Sequence, residues 1–343
     1  MRAIVINKYV EKASDLTVTT APDPTPNNEE YTIRIHAAAA NFFDILQIQG
    51  RYQTQPPFPW VAGVEFAGTV LSVPTSSSPP PTFKVGDRVF GGTQGAFATR
   101  VCAGAGTIRA VPEGWTFSDA AGLFVTAPTS YAALVTRAGV KEGDVVLVHA
   151  AAGGVGLAAV QVAKAFGATV IATASSADKL AVARSYGADH VISYTSSDWP
   201  SRVKELTAGK RGVDIVFDPV GLVDASTKCT AWNGRILIVG FAAGAIEKVP
   251  VNKVLLKNIA LVGIFWGAYA VNQPEVVPQV WDGVMRLISE GKLRPTVYHD
   301  DSGRGGGGFH GLDSVKDALS ALASRRTWGK VVINIPHHET SRL

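Results

Sequence analysis

Two groups of residues have the types and spacing to do chemistry. The first is a glycine turn. Residues 145–148 are an unbroken apolar run, and after His149 come Ala150-Ala151-Ala152-Gly153-Gly154-Val155-Gly156. Consecutive apolar residues suit a parallel strand buried on both faces. Past the glycines, Val155, Ala159, Val162, Ala163 and Phe166 recur at steps of three and four, which predicts a helix closed by Gly167. Residues 169–173 begin a second strand. Strand, tight turn and helix in this order present backbone N–H groups and the positive end of a helix dipole to an anion, so the turn can hold a pyrophosphate. The positions of the G-x-G-x-x-G fingerprint fall on Ala151, Gly153 and Gly156, so the first glycine is an alanine. A plain structural turn is the alternative that this pattern alone leaves open. The second group is Asn41, Asp44 and Tyr52, set among Phe42, Phe43, Phe58 and Trp60. Polar groups in aromatic surroundings suit a flat aromatic guest whose oxygen is stabilised as charge develops on it.

The elements that position these groups differ in kind. Residues 1–125 read as β-rich. The stretch 31–37 alternates with period two, 63–73 is flanked by glycine, and 85–90 is a turn running into a strand. The Ser/Pro-rich stretch 74–82 cannot lie inside a sheet. Many short strands with Gly/Pro punctuation predict a small barrel-like β domain. From Ser118 the character changes, and 120–124 and 130–135 suggest helices. Strand candidates at 145–148, 169–173, 190–193, 213–217, 235–239 and 259–265 then alternate with helical stretches, which predicts a doubly wound parallel sheet in an α/β protein. The glycine run 303–308 reads as a flexible loop, since no strand leads into it. A helix over 312–324 and a strand over 330–335 return to the first domain. The expected division is a β-rich domain at 1–125, completed by 296–343, and a nucleotide domain at 126–295.

Composition narrows the classes. With 343 residues, 46% hydrophobic and 17% charged, the chain suits a globular protein with two real cores. The net charge of +4 is not gathered into basic runs, which argues against nucleic acid as the main partner. Cys102 and Cys229 lie far apart with no C-x-x-C spacing, so neither a four-cysteine zinc site nor a disulfide framework is available, and both read as packing residues. Residues 1–8 alternate like a strand and carry no secretory h-region. The apolar stretch 259–271 is too short to span a bilayer and contains Gly263 and Gly267. A cytoplasmic protein is expected. The tail Ser341-Arg342-Leu343 differs by one basic residue from a peroxisomal S-K-L address and would redirect the chain if read as one.

Taken together, the motifs resemble the zinc-independent quinone oxidoreductases, the zeta-crystallin-like family of the medium-chain dehydrogenase/reductase superfamily. Asn41-Phe42-Phe43-Asp44 followed by Gly50-Arg51-Tyr52 matches N-x-x-D…G-x-Y, and Pro59 through Gly68 matches P-x-x-x-G-x-E-x-x-G. Gly86-Asp87-Arg88-Val89, Ala150 to Gly156 and Gly329-Lys330-Val331-Val332 match three further motifs. The stretches near Ser76 and Gly306 look like insertions. The resemblance implies a GroES-like catalytic domain with a Rossmann domain, the nicotinamide in the cleft between them, and a homodimer formed through the edge strand 259–265. Zinc-dependent relatives carry a cysteine near position 41 and a histidine after the glycine of the 63–65 segment. Here those places hold Asn41 and Val64, which cannot serve as such ligands, so no metal is expected. His337-His338 is not read as chelating.

An NAD-specific unit ends its second strand in Asp or Glu. Here that place reads Thr173-Ala174-Ser175-Ser176-Ala177-Asp178-Lys179, uncharged at first and then basic, which predicts NADPH. The resemblance places the 2′-phosphate among Ser175, Ser176, Lys179 and Tyr194, and assigns further cofactor contacts to Thr129, Gly153, Gly154, Val155 and Phe241. Tyr52 is then a hydrogen-bond or proton donor to the acceptor or the nicotinamide amide, Asn41 shares that work, and Asp44 orients them. The expected activity is reduction of a quinone or other conjugated carbonyl. A 2-enoyl-thioester reductase and an NADPH-binding structural or RNA-associated protein are the alternatives.

Overall fold

The structure is a computed structural model that describes residues 1–76, 80–242, 244, 246–299 and 308–336. The tips of the Ser/Pro loop and of the glycine run, the His337-His338 pair and the Ser341-Arg342-Leu343 tail lie outside the described residues. In chain order the first part forms β1 (Arg2–Ile6), β2 (Val18–Thr20), β3 (Glu30–Ala40), α1 (Phe42–Ile48), β4 (Trp60–Val61), β5 (Glu65–Ser72), β6 (Arg88–Gly92), β7 (Arg100–Gly104), β8 (Ile108–Ala110), α2 (Phe117–Ala121) and α3 (Leu123–Tyr131). The middle forms β9 (Val145–Val148), α4 (Gly154–Ala165), β10 (Thr169–Ala174), α5 (Ala177–Ser185), β11 (His190–Ser193), α6 (Trp199–Glu205), β12 (Val213–Asp218), α7 (Val223–Ser226), β13 (Thr230–Ile238), α8 (Val251–Lys257), β14 (Ala260–Gly263), α9 (Tyr269–Asn272) and α10 (Val276–Ser289). The end forms β15 (Phe309–His310), α11 (Val315–Ala323) and β16 (Val331–Asn334).

The chain divides into two compact units, residues 1–125 with 295–343, and residues 126–294. In the first unit a seven-stranded sheet runs β15-β16-β3-β5-β6-β8 with β7 paired to β3, and a smaller sheet runs β2-β1-β4. Its core gathers Tyr31, Ile33, Ile35, Phe66, Val70, Val89, Phe97, Val331 and Ile333. Trp60, expected beside the polar pair Asn41 and Tyr52, packs into this core and is 6% exposed. Register does the positioning. Val331 pairs with Ala40 and Ala39 pairs with Glu65, so Lys330, Asn41 and Glu65 arrive at one end of β16-β3-β5.

The second unit is a six-stranded parallel sheet in the order β11-β10-β9-β12-β13-β14. β9 lies between β10 and β12, which is why its residues are apolar without alternation, and Val146, Leu147 and Val148 are fully buried. Two strands differ from expectation. β13 starts at Thr230, ahead of the apolar run, with a register break opposite β12 and Asn233 in a left-handed conformation. β14 is shorter than 259–265 because the chain leaves the ladder after Gly263 and turns at Trp266. Among the described residues no helix is long and apolar enough to cross a membrane.

Candidate active site

The glycine turn of the second unit is built as its spacing requires. Ala150 takes a left-handed conformation, Ala151 N–H donates to the Thr173 carbonyl and Gly153 N–H to the Ala150 carbonyl. Gly153 caps α4 in an extended conformation, and Gly154 and Val155 open the helix. Gly156 is where the helix passes closest to the turn. A Cβ there would fall 2.4 Å from the Ala150 carbonyl oxygen and 2.8 Å from Ala151 Cα, so only glycine lets α4 sit this close. Ser130 Oγ donates to the Val155 carbonyl at 2.8 Å and ties the start of α4 to the helix that carries Thr129.

The next four expected residues follow the ends of β10 and β11, and Tyr194 packs against the core of this unit. Ala174 pairs with Ser193, so Ser175 and Ser176 leave the sheet beside Tyr194. Ser176 caps α5, its Oγ accepting the Lys179 N–H at 3.4 Å. Its hydroxyl therefore has a structural partner besides any ligand. No carboxylate stands in β10 or at its end; the first acidic residue beyond it is the exposed Asp178 in α5. Phe241, after β13, is 42% exposed and is not part of a core.

In the first unit Asn41 ends β3 and caps α1, and Asp44 Oδ2 accepts the Asn41 backbone N–H at 2.7 Å. Asp44 is thus the acceptor three residues into the helix that satisfies its first open donor. The Asn41 side chain makes no cap. Its Nδ2 donates to Glu65 Oε2 at 2.8 Å, and its Oδ1 accepts from Lys330 Nζ at 2.7 Å. Lys330 Nζ also donates to Glu65 Oε2 at 2.6 Å and to the Ala40 carbonyl at 3.2 Å, and Val125 N–H donates to Glu65 Oε1 at 2.6 Å. Lys330 and Glu65 are buried, so this is a desolvated ion pair with its lone pairs and protons satisfied. Gly122 makes room for the lysine stem, since a Cβ there would lie 2.8 Å from Lys330 Cβ.

Tyr52 is half-buried, its ring stacked on Phe43 at 5.4 Å between centroids. Burial, and then the charge of Asp44, push its phenol above the ordinary tyrosine value. Burial raises the Asp44 carboxyl to about 7, against the opposing pull of the Asn41 N–H and Lys330. Phe58 turns its ring edge-on to Tyr9 and both are exposed, while Phe42 is 37% exposed. Of the expected aromatic residues, Phe43 meets Tyr52 directly. In the sequence Glu65 and Lys330 stand only as letters of two family motifs. The available signal was a lone charge beside an apolar run, which demands a partner once buried.

A β-rich unit of the GroES-like kind in one chain with a doubly wound nucleotide unit defines the medium-chain oxidoreductases. Residues 27–136 match the alcohol dehydrogenase GroES-like domain, and residues 154–290 match the family described as zinc-binding dehydrogenase. The quinone oxidoreductase-like protein 2 homolog of Nematostella vectensis is 36% identical over 88% of this chain and 80% of that one. The mouse (Mus musculus) quinone oxidoreductase-like protein 2 is 36% identical over 92% of this chain and 87% of that one. The Escherichia coli quinone oxidoreductase, solved in complex with NADPH, superposes with a TM-score of 0.84 at 28% identity, covering 98% of this chain and all of that one. The chain belongs to the quinone oxidoreductase-like proteins of the medium-chain dehydrogenase/reductase superfamily.

Proposed function

We propose that the protein is an NADPH-dependent reductase of quinones or related conjugated carbonyl compounds that works without a metal ion. The observation that carries this reading is the Asn41 amide, held by Lys330 on its oxygen and by Glu65 on its nitrogen. Zinc-dependent relatives keep a thiolate near this position. Here the group is a neutral amide whose oxygen is taken by Lys330 and which carries a second N–H besides the one given to Glu65. Such a donor stabilises an oxygen that gains negative charge. Tyr52 supplies a hydrogen bond or a proton to the same oxygen, and Phe43 holds its ring in place.

The nucleotide contacts fall to Gly153, Gly154 and Val155 at the α4 N-terminus, with Thr129 and Phe241 beside the nicotinamide. Ser175, Ser176, Lys179 and Tyr194 receive the 2′-phosphate, since the end of β10 holds no carboxylate to repel it. When bound, NADPH supplies the hydride. The deciding experiment follows NADPH oxidation, after dialysis against a chelator, with an ortho-quinone and a 2-enoyl thioester side by side. Fast quinone turnover that survives the chelator supports the reading. Fast enoyl turnover with little quinone turnover moves the acceptor to thioesters, and activity lost to the chelator and restored by zinc refutes metal independence.

We further infer a homodimer. β14 is the outer strand of its sheet, Leu261 and Phe265 are exposed on and just after it, and Val251, Leu255 and Leu256 of α8 are each more than 70% exposed. An open strand edge beside exposed apolar side chains suits pairing with the same edge of a second copy. Sedimentation should give twice the chain mass, and Leu261→Lys should halve it. The protein is proposed to work in the cytoplasm, with a small-molecule partner.

A further inference from the structure

Helix α1 and the chain after it hold polar atoms that the reading above leaves unused. Among the described residues five buried side-chain polar atoms have no hydrogen-bond partner within the protein, and four lie between residues 44 and 60. They are Asp44 Oδ1, Gln47 Oε1, Gln55 Oε1 and Trp60 Nε1. Buried polar atoms are rarely left unpaired, so four within one short stretch of chain call for a cause. Two of them are neighbours on a helix. Asp44 and Gln47 share one face of α1. Gln47 donates to Gln94 at 3.0 Å, and Gln94 donates at 2.7 Å to the carbonyl of Val61, the residue after Trp60. Gln55 donates to the Tyr52 carbonyl at 3.1 Å. Asp44 Oδ1 and Gln47 Oε1, two buried acceptors on one face of α1, match the needs of internal water, which takes two to four polar partners.

Asp44 divides its work between its two oxygens. Oδ2 caps α1, while the buried Oδ1 is the atom without a protein partner. The charged and titratable groups that act on it are the Lys330 ammonium, the Glu65 carboxylate and Tyr52, whose phenol feels the Asp44 charge. We propose that Asp44 is the proton store behind Tyr52, joined to the phenol by water enclosed beside α1. The proposal deepens the conjugated-carbonyl reading and rests on it. With NADPH bound, the cofactor would supply a hydride with its two electrons, and the acceptor needs one proton besides. The Tyr52 O–H breaks as the acceptor O–H forms, the Asp44 O–H breaks as Tyr52 regains its own, and solvent returns a proton to the Asp44 carboxylate. Its midpoint near neutrality lets Asp44 both release and regain a proton within a turnover.

The test is carried out on the full chain, with [13Cγ]aspartate and [13Cζ]tyrosine labels read by NMR across pH 5–9. One carboxyl resonance should titrate near 7 and vanish in Asp44→Asn, which keeps an oxygen for the helix cap. The Tyr52 signal should follow the same midpoint and become flat in that variant. Tyr52→Phe, which keeps the stack on Phe43, should move the Asp44 midpoint upward and so covers a failure of Asp44→Asn to fold. In turnover with the ortho-quinone, kcat should fall tenfold per pH unit above 7, and Asp44→Asn should be at least tenfold slower and pH-independent with an unchanged KM for NADPH. An Asp44 carboxyl ionised throughout, or a Tyr52 signal indifferent to it, overturns the proposal. Coupled titrations in a protein that reduces no conjugated carbonyl would instead refute the acceptor reading and leave the proton store standing.

Discussion

Replacing Lys330 with Met tests the site at its most committed group. The ammonium makes three hydrogen bonds, to Glu65 at 2.6 Å, Asn41 at 2.7 Å and the Ala40 carbonyl at 3.2 Å. Methionine fills nearly the same volume, so the loss is electrostatic and not a cavity. What remains is the Glu65 carboxylate, fully buried, held among the described residues by the Val125 and Asn41 N–H groups. Breaking a buried pair from one side costs about 3–5 kcal/mol. The two surviving donors place Lys330→Met at the lower end, about 3 kcal/mol. The double variant Glu65→Gln with Lys330→Met removes both charges and keeps the shape, and should recover most of that loss. Urea denaturation of the three proteins, followed through a signal from the β-rich unit, measures both numbers. A single variant costing under about 1 kcal/mol, or a double variant worse than the single, would refute the argument that Lys330 and Glu65 are a desolvated pair. Because Lys330 also fixes the Asn41 oxygen, conjugated-carbonyl reduction should stay low in the double variant even where stability returns.

Three further outcomes follow from the second unit. Gly156→Ala forces a methyl group against backbone atoms at 2.4 and 2.8 Å, so α4 must move off the turn; stability should fall by about 1–3 kcal/mol and NADPH affinity with it, and wild-type affinity in a fluorescence titration would contradict the packing argument. Lys179→Ala should weaken NADPH about 10- to 100-fold and leave NADH nearly unchanged, as read from the two KM values; equal losses would place the 2′-phosphate elsewhere. His149 is buried between Thr173 Oγ1 and Ser226 Oγ, and burial lowers its pKa to about 4, with Asp218 pulling the other way. The unfolded chain therefore binds a proton near pH 6.5 that the native unit refuses until about 4. The stabilising contribution is full above 6.5 and is lost as pH falls toward 4, by about 3 kcal/mol, and chemical denaturation of this unit at pH 7 and 4.5 measures it. No loss would mean that His149 is protonated in the folded protein.

The parts of the fold that could be read ahead are those set by neighbours in the chain. The β9–α4–β10 unit announces itself because one apolar period changes to another across a glycine turn, all within thirty residues. Helix α1 was not expected. It has two turns, and its aromatic residues Phe42 and Phe43 drew attention as pocket lining. The signal was nonetheless present, because Asn41 with an acid three residues on is a helix-start pattern. β7 and β8 escaped because five- and three-residue strands carry little period. Ser176 shows a different limit. A hydroxyl that caps a helix and a hydroxyl that greets a phosphate occupy the same place for the same reason, the open N–H groups of the first turn, so spacing alone cannot separate the two roles.

The Lys330–Glu65 pair shows where a sequence holds a constraint without its geometry. The two residues are separated by 265 positions, and only the pairing of β16 with β3 and of β3 with β5 brings them together. Each stands at the edge of an apolar stretch, Glu65 before Phe66-Ala67-Gly68 and Lys330 before Val331-Val332-Ile333. A charge carried into a core by such a strand must find an opposite charge or be lost to the fold. The chain therefore requires that Glu65 have a cation and Lys330 an anion, and the register decides that they satisfy one another. Asn41 is then held because it lies at the corner where both strands end, which makes the orientation of one amide a consequence of sheet register and ties the candidate chemistry of this site to the stability of its β domain.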